Sequence, residues 1–468
     1  MADYNTPGVY IEEIPHLPPS IVSVETAIPA FTGYTEKAQL KEPGDLTHKP
    51  WRIASMLEYE QFFGLPDTEK DSLSVVFTNT GAGTEVNGKV DPTKRSKFLM
   101  HYSLQMFFAN GGGACWINSV GNYQLTGGNI ISQNLRDGLN EVAKINEVTL
   151  LLFPDAINLD DPAGYYDVYS AAIDQCVTLL DRFVIMDVYQ IPGNPDGWEE
   201  DIKALRKSGL DATISGLKYA AVYFPQIYTS VDFKTGDDAA VIIEGEAAGT
   251  LAALKNTNNA QYFQAKNALA NIEMLLPASA ALAGIYAQVD NSRGVWKAPA
   301  NVNIVTAIRP QYLITSKEQE DLNVDAAAGK SINVIRSFPG RGPAIVWGAR
   351  TLAGNDNEWR YIPVRRYFNM VEESVKNGTE QFVFEPNDTN TWIRVKSMIQ
   401  NFLTQQWKAG ALMGTSTKEA FFVHVGLGET MTEIDVWEGR MIIEIGQAVV
   451  RPAEFVILRF MHKMLAES

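Results

Sequence analysis

Cysteine and histidine are both scarce in this chain of 468 residues. Cys115 and Cys176 are the only cysteines, which excludes a disulfide framework and suits a reducing compartment. The histidines are His16, His48, His101, His424 and His462. None lies between positions 101 and 424, so the middle of the chain cannot hold a serine–histidine–aspartate triad. Their spacing also matches no metal-binding motif, and we expect no metal site.

Long apolar runs and basic amino-terminal residues are lacking as well. No stretch reaches the roughly 18 uninterrupted apolar residues of a membrane span. The best candidate, MLLPASAALAGIYA, is short and contains Pro277. The first residues show no basic region followed by an apolar run. We therefore expect no secretory signal, no membrane insertion, and synthesis in the cytoplasm.

Positive charge is in deficit. The formal net charge of −16 argues against a nucleic-acid partner, because neutralising phosphates requires a basic surface. From Ile345 onward, 13 Lys and Arg residues stand against 15 Asp and Glu residues, so nearly all of the excess negative charge lies before that point. Different surroundings for the two portions would explain this distribution, and so would chance.

The middle of the chain alternates between apolar strands and helices. VTLLLFPDA, RFVIMDV and YAAVYFPQIY are separated by helical segments of ordinary length, which predicts an α/β fold with a mainly parallel sheet and helices on both faces. The length predicts two or three domains. Residues 79–97 are polar and glycine-rich and are predicted to be an exposed loop. Residues 232–260 are predicted to be a loop or an exposed helix.

The last quarter contains a strongly predicted helix, NTWIRVKSMIQNFLTQQWKAGAL. Its apolar stripe comprises Trp392, Val395, Ile399, Phe402 and Leu403. Its polar stripe comprises Arg394, Ser397, Asn401, Thr404 and Lys408. EAFFVHVGLG, GRMIIEIGQAVV and AEFVILRFMHKM follow as predicted strands.

Two terminal strands lack an obvious partner in the chain. GVYIEEI, near the amino terminus, is bounded by Pro7 on one side and by Pro15, Pro18 and Pro19 on the other. EFVILRF, near the other end, follows Pro452. A single strand is not stable in water. Each of these two strands must therefore pair either at the edge of a sheet in its own domain or with a sheet of another chain.

Three features invite a catalytic or binding interpretation. AAAGKS ends like a phosphate-binding loop, but Val324 stands where that loop needs a glycine. NGGGAC leads into a strand, so its glycines are predicted to turn the chain after a helix. Asp155 and Asp187 follow apolar strands, at the edge where α/β enzymes place catalytic groups. Aspartates there also cap helices, which leaves both roles open.

Segments along nearly the whole chain together resemble the contractile tail sheath family. These proteins form the outer cylinder of contractile phage tails, phage-tail-like particles and related secretion machines. The segments, in order, are YNTPGVYIEEI, FFANGGGACWI, GIYAQVDNSRGVWKAPAN, GRGPAIVWGARTL, YIPVRRYFNMVEESV and FEPNDTNTWIRVKSMIQNFLTQQWKAGALMG. The sequence is most similar to sheaths of extracellular injection particles, although phage and anchored systems share these motifs.

The resemblance implies a particular domain organisation. An α+β core domain near an inner tube would comprise residues 26–100 and 345–450. Residues 101–344 would form an inserted, outward-pointing α/β domain, likened in this family to the subtilisin fold without its catalysis. Residues 1–25 and 451–468 would be terminal arms that add strands to a sheet shared with neighbouring subunits. The arm residues are Val9, Tyr10, Ile11, Ile14, Phe455, Val456, Ile457, Leu458 and Phe460.

The resemblance also implies a structural role without cofactor, metal or catalysis. Identical subunits would polymerise helically around an inner tube protein and contract, with baseplate and terminal cap proteins as further partners. Assembly would take place in the bacterial cytoplasm, and extracellular release of the finished particle remains open. We predict that Arg394 and Lys408 face the tube, while a merely solvated helix face is the alternative. Another particle component, or an α/β hydrolase using Asp155 or Asp187, are the rival functions.

Overall fold

A computed structural model of the chain describes residues 20–455 and 457, apart from residues 70, 71, 82, 126, 194–196, 211–213, 237, 239, 240, 246 and 326. The strands are β1 Pro29–Thr35, β2 Trp51–Ile53, β3 Leu73–Asn79, β4 Thr84–Val90, β5 Cys115–Asn122, β6 Leu150–Leu152, β7 Phe183–Asp187, β8 Ala220–Phe224, β9 Ile227–Thr229, β10 Ile242–Gly245, β11 Gly249–Thr250, β12 Met274–Leu276, β13 Ala307–Pro310, β14 Asn333–Phe338, β15 Gly342–Val346, β16 Phe421–His424 and β17 Glu444–Gln447. The helices are α1 Met56–Phe63, α2 Met100–Ala109, α3 Ser132–Val142, α4 Pro162–Leu179, α5 Trp198–Lys207, α6 Ile214–Leu217, α7 Leu251–Thr257, α8 Asn259–Ala270, α9 Ser279–Arg293, α10 Ser316–Asn323, α11 Ile362–Thr379, α12 Thr389–Lys408, α13 Thr417–Ala420 and α14 Glu433–Trp437.

An eight-stranded sheet forms the centre of the larger unit. Its order is β15-β14-β8-β7-β6-β1-β5-β2. The six strands from β14 to β5 run parallel, and the outermost strands, β15 and β2, pair antiparallel. β6, β7 and β8 are buried along their whole length, as expected for strands covered on both faces. The mainly parallel sheet of a mixed α/β fold is thereby confirmed.

Neighbouring residues of β1 show which helices cover each face of this sheet. Thr32 lies against Gly138 of α3, where a Cβ would come within 2.7 Å of the Thr32 methyl group. At Gly33 a Cβ would come within 2.8 Å of Met100, the first residue of α2. Because successive residues of a strand point to opposite faces, α3 and α2 lie on opposite sides of the sheet.

A smaller sheet has its own hydrophobic core within the same unit. Its order is β11-β10-β3-β4, and α7 and α8 pack against it. The core comprises Leu73, Val75, Phe77, Val241, Ile243, Leu251, Leu254, Tyr262, Ala265, Ala268 and Leu269. The prediction of a loop over residues 79–97 was therefore wrong for β4, and residues 232–260 also contribute two strands. β10 pairs with the distant β3, a contact that local composition cannot reveal, whereas β4 forms an antiparallel hairpin with the neighbouring β3 and packs against α8.

The smaller unit comprises residues up to Val24 together with Val371–Val450. Its longest element, α12, buries Val395, Ile399, Phe402 and Leu403, which confirms the predicted apolar face, while Trp392 is half-buried. β16 and β17 pair antiparallel beside α12. The amino-terminal segment is bound here, because the Val24 amide donates to Ser374 Oγ at 3.0 Å and Gln406 donates to Ser23 Oγ at 3.3 Å.

The larger unit comprises Glu25–Met370 together with Arg451–Ser468. The expectation that residues 26–100 belong with residues 345–450 was wrong. β1 pairs in parallel with both β5 and β6, so this early segment supplies a central strand of the α/β sheet. The boundary of the carboxy-terminal portion likewise falls at Val371 rather than at residue 345, because β15 pairs with β14 in the eight-stranded sheet.

Within the described portion of the chain, no helix is both long and apolar enough to span a bilayer.

Candidate functional site

Asp155 follows the end of β6 by three residues, and its carboxylate binds the start of a helix. It is fully buried and accepts hydrogen bonds from the backbone amides of Tyr34 at 2.7 Å, Leu99 at 2.6 Å and Met100 at 3.1 Å. Leu99 and Met100 begin α2, so Asp155 caps that helix from another part of the chain. Burial raises the pKa of Asp155 to about 6, and the three amide hydrogen bonds oppose that rise.

Asp187, at the end of β7, has an equivalent role. Its Oδ1 accepts from the amides of Ala278 at 2.8 Å and Ser279 at 3.2 Å, at the start of α9. Burial raises the pKa of this carboxyl to about 6 as well. Neither Asp155 nor Asp187 lines the groove of about 380 Å³ between α3 and α4, whose lining includes Arg136 and Asp174. Both aspartates are therefore helix caps, the structural alternative that the sequence left open.

The two glycine-containing motifs also have structural roles. In AAAGKS, Lys330 is buried and its Nζ donates to the carbonyl oxygens of Ser208 at 2.9 Å and Arg206 at 3.3 Å, which end α5. Burial lowers the pKa of this lysine. In NGGGAC, Gly111 adopts a φ of 92° and the Gly112 amide donates to Phe107 O, closing α2. The prediction that these glycines turn the chain after a helix is confirmed.

The described histidines bond to carboxylates or line turns. His101 is buried, with Nε2 3.2 Å from Glu60 Oε1, and burial lowers its pKa although Glu60 opposes the shift. His424 is half-exposed on β16 and bonds to Glu429. His48 adopts a φ of 55° in a turn, and His16 and His462 lie outside the described residues. Among the residues described, no cluster of three or more His, Cys, Asp or Glu side chains could hold a metal ion.

Two of the segments that carry the resemblance meet in one buried network. Asp290 of α9 pairs with Arg366 of α11 at 2.5 Å, and both side chains are almost fully buried. Thr26 Oγ1 donates to Asp290 at 2.6 Å, and Arg366 donates to the Thr26 carbonyl at 2.9 Å. The Arg366 guanidinium also lies over the Tyr286 ring, 4.6 Å from its centre. These motif residues hold the larger unit together, which explains their residue types without any catalytic role.

The predicted arm residues fall mostly outside the described part of the chain. Val9, Tyr10, Ile11, Ile14, Val456, Leu458 and Phe460 are in that group. Phe455 and Ile457 are described, and their side chains are 71% and 78% exposed. The described residues from 451 onward form no strand with the rest of the chain. Pairing of these arms with another subunit therefore stays a prediction.

The predicted polar face of α12 is exposed. Arg394, Ser397, Asn401 and Lys408 are all exposed, and Thr404 is half-buried. Arg394 Nη1 lies 3.7 Å from Glu385, at the weak end of an exposed ion pair. Lys408 forms no ion pair with any residue in the described ranges. The helix thus offers a cation at each end of its solvent face, and contact with a tube stays a prediction.

Exposed apolar side chains near the start of α12 were not predicted from the sequence. Phe384 is fully exposed and adopts a φ of 71°, which is rare for a bulky residue. Ile393 and Trp437 are exposed as well. Hydrogen bonds from Trp392 Nε1 to Asn387, and from Asn387 to the Arg440 carbonyl, place their segments side by side. The apolar pair Val383 and Phe384 was the only local signal in the sequence, and such a pair is equally typical of a buried core.

Comparison with protein families matches residues 354–462 to the phage tail sheath C-terminal domain. The tail sheath protein of Burkholderia phage BcepMu is 30% identical over 149 residues, covering 31% of each chain. The aligned segments span only 19% to 31% of the curated phage sheath proteins that the chain matches.

Solved structures match over the full length. The sheath of the extracellular contractile injection system PVC, in its contracted state, is 29% identical with a TM-score of 0.66, and the match covers 99% of each chain. The contracted helical sheath of the anti-feeding prophage is 30% identical with a TM-score of 0.63, and the match covers 98% of this chain and 100% of the other. Because similarity at this level extends over all of a sheath subunit, the chain belongs to the contractile tail sheath family.

Proposed function

We propose that this chain is the sheath subunit of a contractile injection particle. Identical subunits polymerise helically around an inner tube protein in an extended state, and contraction drives the tube through a target envelope. The observation that carries this proposal is the full-length match to two sheaths solved in the contracted state. We further propose that the particle assembles in the bacterial cytoplasm, with baseplate and terminal cap proteins as its other partners.

Strand addition is the proposed link between subunits. In the described part of the smaller unit, β16 and β17 form a sheet of only two strands, so each offers an outer edge to a further strand. A two-stranded sheet is marginal by itself, and strands from neighbouring subunits would satisfy its backbone groups. Residues 1–19 and the segment that begins at Phe455 are the proposed donors, and their apolar residues would face the recipient's core.

The solvent face of α12 is the proposed contact with the inner tube. Arg394 and Lys408 would pair with acidic groups of that tube, and the exposed Ser397 and Asn401 between them would supply neutral polar contacts. Such rim contacts are individually weak, which suits a surface that must release when the sheath expands.

Contraction is proposed to be a change between two packings of the same subunits. Energy stored at assembly would be released through new intersubunit contacts, and a few kcal/mol per subunit would accumulate over many subunits. We propose that the subunit hydrolyses no substrate, because Asp155 and Asp187 are engaged as helix caps. The finer proposal, a subtilisin-like sheet without catalysis, draws on the parallel strand order and the same two caps.

Electron microscopy of the co-expressed particle tests this function. The intact chain and a variant lacking residues 1–20 would each be expressed with the tube and baseplate proteins and imaged by negative stain. We expect long hollow cylinders from the intact chain and none from the truncated chain, with circular dichroism showing that the truncated chain folds. Cylinders from both would remove the amino-terminal arm as an essential link. Absence of cylinders from the intact chain would overturn the sheath function.

A further inference from the structure

Glu454 is held in a largely buried clamp near the end of the described part of the chain. The clamp consists of Glu454, Arg350, Asn323 and Tyr361. Arg350 donates to both carboxylate oxygens, from Nε at 2.9 Å and from Nη2 at 2.6 Å. Asn323 Nδ2 donates at 2.8 Å and the Tyr361 hydroxyl at 3.1 Å. These four donors, two of them from one bidentate arginine, hold the Glu454 carboxylate in place.

Arg350 is itself buried and held by further hydrogen bonds. Its side chain is only 5% exposed, and that of Glu454 is 20% exposed. Its guanidinium also donates to the Asn323 carbonyl at 3.2 Å, and its backbone amide donates to Asn333 Oδ1 at 2.7 Å. Burial alone would raise the pKa of Glu454, but the hydrogen bonds from Arg350 and Asn323 lower it below its ordinary value. Glu454 is therefore ionised at neutral pH.

The described side chains become strongly exposed immediately beyond the clamp. Before it, Arg451 Nη1 donates to the Asn357 carbonyl at 2.7 Å, so this segment lies along the larger unit. After it, Phe455 and Ile457 are two positions apart and strongly exposed. Residues at that spacing share one face of an extended strand. Glu454 is thus the last side chain, within the described residues, that is bound to its own unit.

We propose that Glu454 is a positioning residue for intersubunit strand addition. The clamp sets the point from which the carboxy-terminal arm extends, and it transmits tension from a linked neighbour into the larger unit through Arg350. This proposal rests on the sheath function proposed above and names the residue that governs the link.

The length of chain released when the clamp is lost determines how far the carboxy-terminal arm can move. Release of Glu454 frees the residues after Arg451, and three extended residues add about 10 Å of slack. A longer tether lowers the effective concentration of the arm at its binding edge and leaves its direction undefined. A sheath built from such arms is expected to be shorter, less uniform in helical twist, and prone to break when it contracts.

The test compares Glu454→Ala and the milder Glu454→Gln with the natural chain, each co-expressed with its tube and baseplate. Glu358→Ala removes the same charge from an exposed side chain of the same unit and is the matched control. Thermal unfolding of each subunit measures the purely structural effect. Sheath length and helical twist by cryo-electron microscopy, and the fraction of sheaths that break on contraction, measure the positioning effect.

We expect the natural chain and Glu358→Ala to give intact, uniform sheaths before and after contraction. Glu454→Ala should fold but give short, irregular sheaths that break on contraction, with Glu454→Gln intermediate. Sheaths of normal length, twist and integrity from Glu454→Ala would overturn the proposal. So would failure of both Glu454 variants to fold, because the residue would then be a structural element only. Absence of sheaths from the natural chain would instead overturn the sheath function.

Discussion

At the scale of single residues, the surroundings of different aspartates shift their pKa values in opposite directions. Asp155 and Asp187 are buried without a cationic partner in their hydrogen-bond sets, and burial raises the pKa of each to about 6. Asp45 is half-buried, and hydrogen bonds from the Leu40, Glu42 and Lys41 amides lower its pKa. The same residue type therefore stabilises the fold in different pH ranges, depending on what surrounds it.

The substitution Asp187→Asn is predicted to flatten the pH dependence of stability between pH 4 and pH 6. The pKa of this carboxyl is higher in the folded than in the unfolded state, so its favourable contribution is complete below pH 4 and is lost as the pH rises through 6. A shift of about two units corresponds to about 3 kcal/mol in the free energy of unfolding. Chemical denaturation at several pH values measures the difference between the two proteins.

Asp45→Asn is the control for that experiment. Its pKa is lowered in the folded state, so its contribution is present at neutral pH and is lost as the pH falls, the opposite sign. An unchanged pH profile in Asp187→Asn would contradict the assignment of Asp187 as a buried cap with a raised pKa.

At the scale of elements, close approach between helices depends on single glycines. α2 and α9 pack together, and at Gly284 of α9 a Cβ would lie 2.4 Å from the Phe107 carbonyl oxygen. A backbone atom cannot move aside as the end of a side chain can. Gly284, the first of the two glycines in the GIYAQVDNSRGVWKAPAN segment, is therefore required for packing rather than for flexibility.

Gly284→Ala is predicted to destabilise the subunit by about 1–3 kcal/mol, the typical cost of overpacking a core. Helix propensity alone would predict a gain of about 1 kcal/mol for this change, so the sign distinguishes the two effects. Gly113→Ala is the control, because a Cβ there meets nothing within 4 Å. Urea denaturation measures both, and a stabilised Gly284→Ala variant would show that the helices separate freely.

At the scale of the whole molecule, the proposed tube contact can be tested by charge. Reversal of both Arg394 and Lys408 to glutamate should loosen the sheath on its tube and leave the subunit folded. Exposed pairs contribute less than about 1 kcal/mol each, so the effect on stability is small, while the repulsion repeats in every subunit. The fraction of tubes that retain an extended sheath, counted by electron microscopy at low and high salt, measures the change.

Lys41→Glu with Lys89→Glu changes the charge equally at exposed sites elsewhere in the chain and serves as the control for that reversal. Extended particles of normal number from the Arg394 and Lys408 double variant would assign this face to solvent. A loss of particles in both double variants would indicate a general charge effect rather than a specific surface.

Local pattern alone determined much of this protein. The alternation of apolar strands with helices predicted the parallel strands from β6 to β8, and the spacing of apolar residues predicted both faces of α12. The missing histidines excluded a triad in the middle of the chain. These features depend on the composition and on the spacing of apolar residues within one strand or a few helical turns. Both can be read from the sequence without knowledge of the fold.

Tertiary structure decided what depends on residues far apart. β1 became a central strand by pairing with β5 and β6, and the hairpin of β3 and β4 formed where a loop was predicted, because the distant β10 pairs with β3 and the distant α8 packs against β4. Asp155 and Asp187 became caps of α2 and α9 only because the fold brings those helix ends to the sheet edge. Glu454 binds Arg350, which lies 104 positions away in the sequence. Partners at such separations are chosen by packing of the whole unit, and no local pattern specifies them.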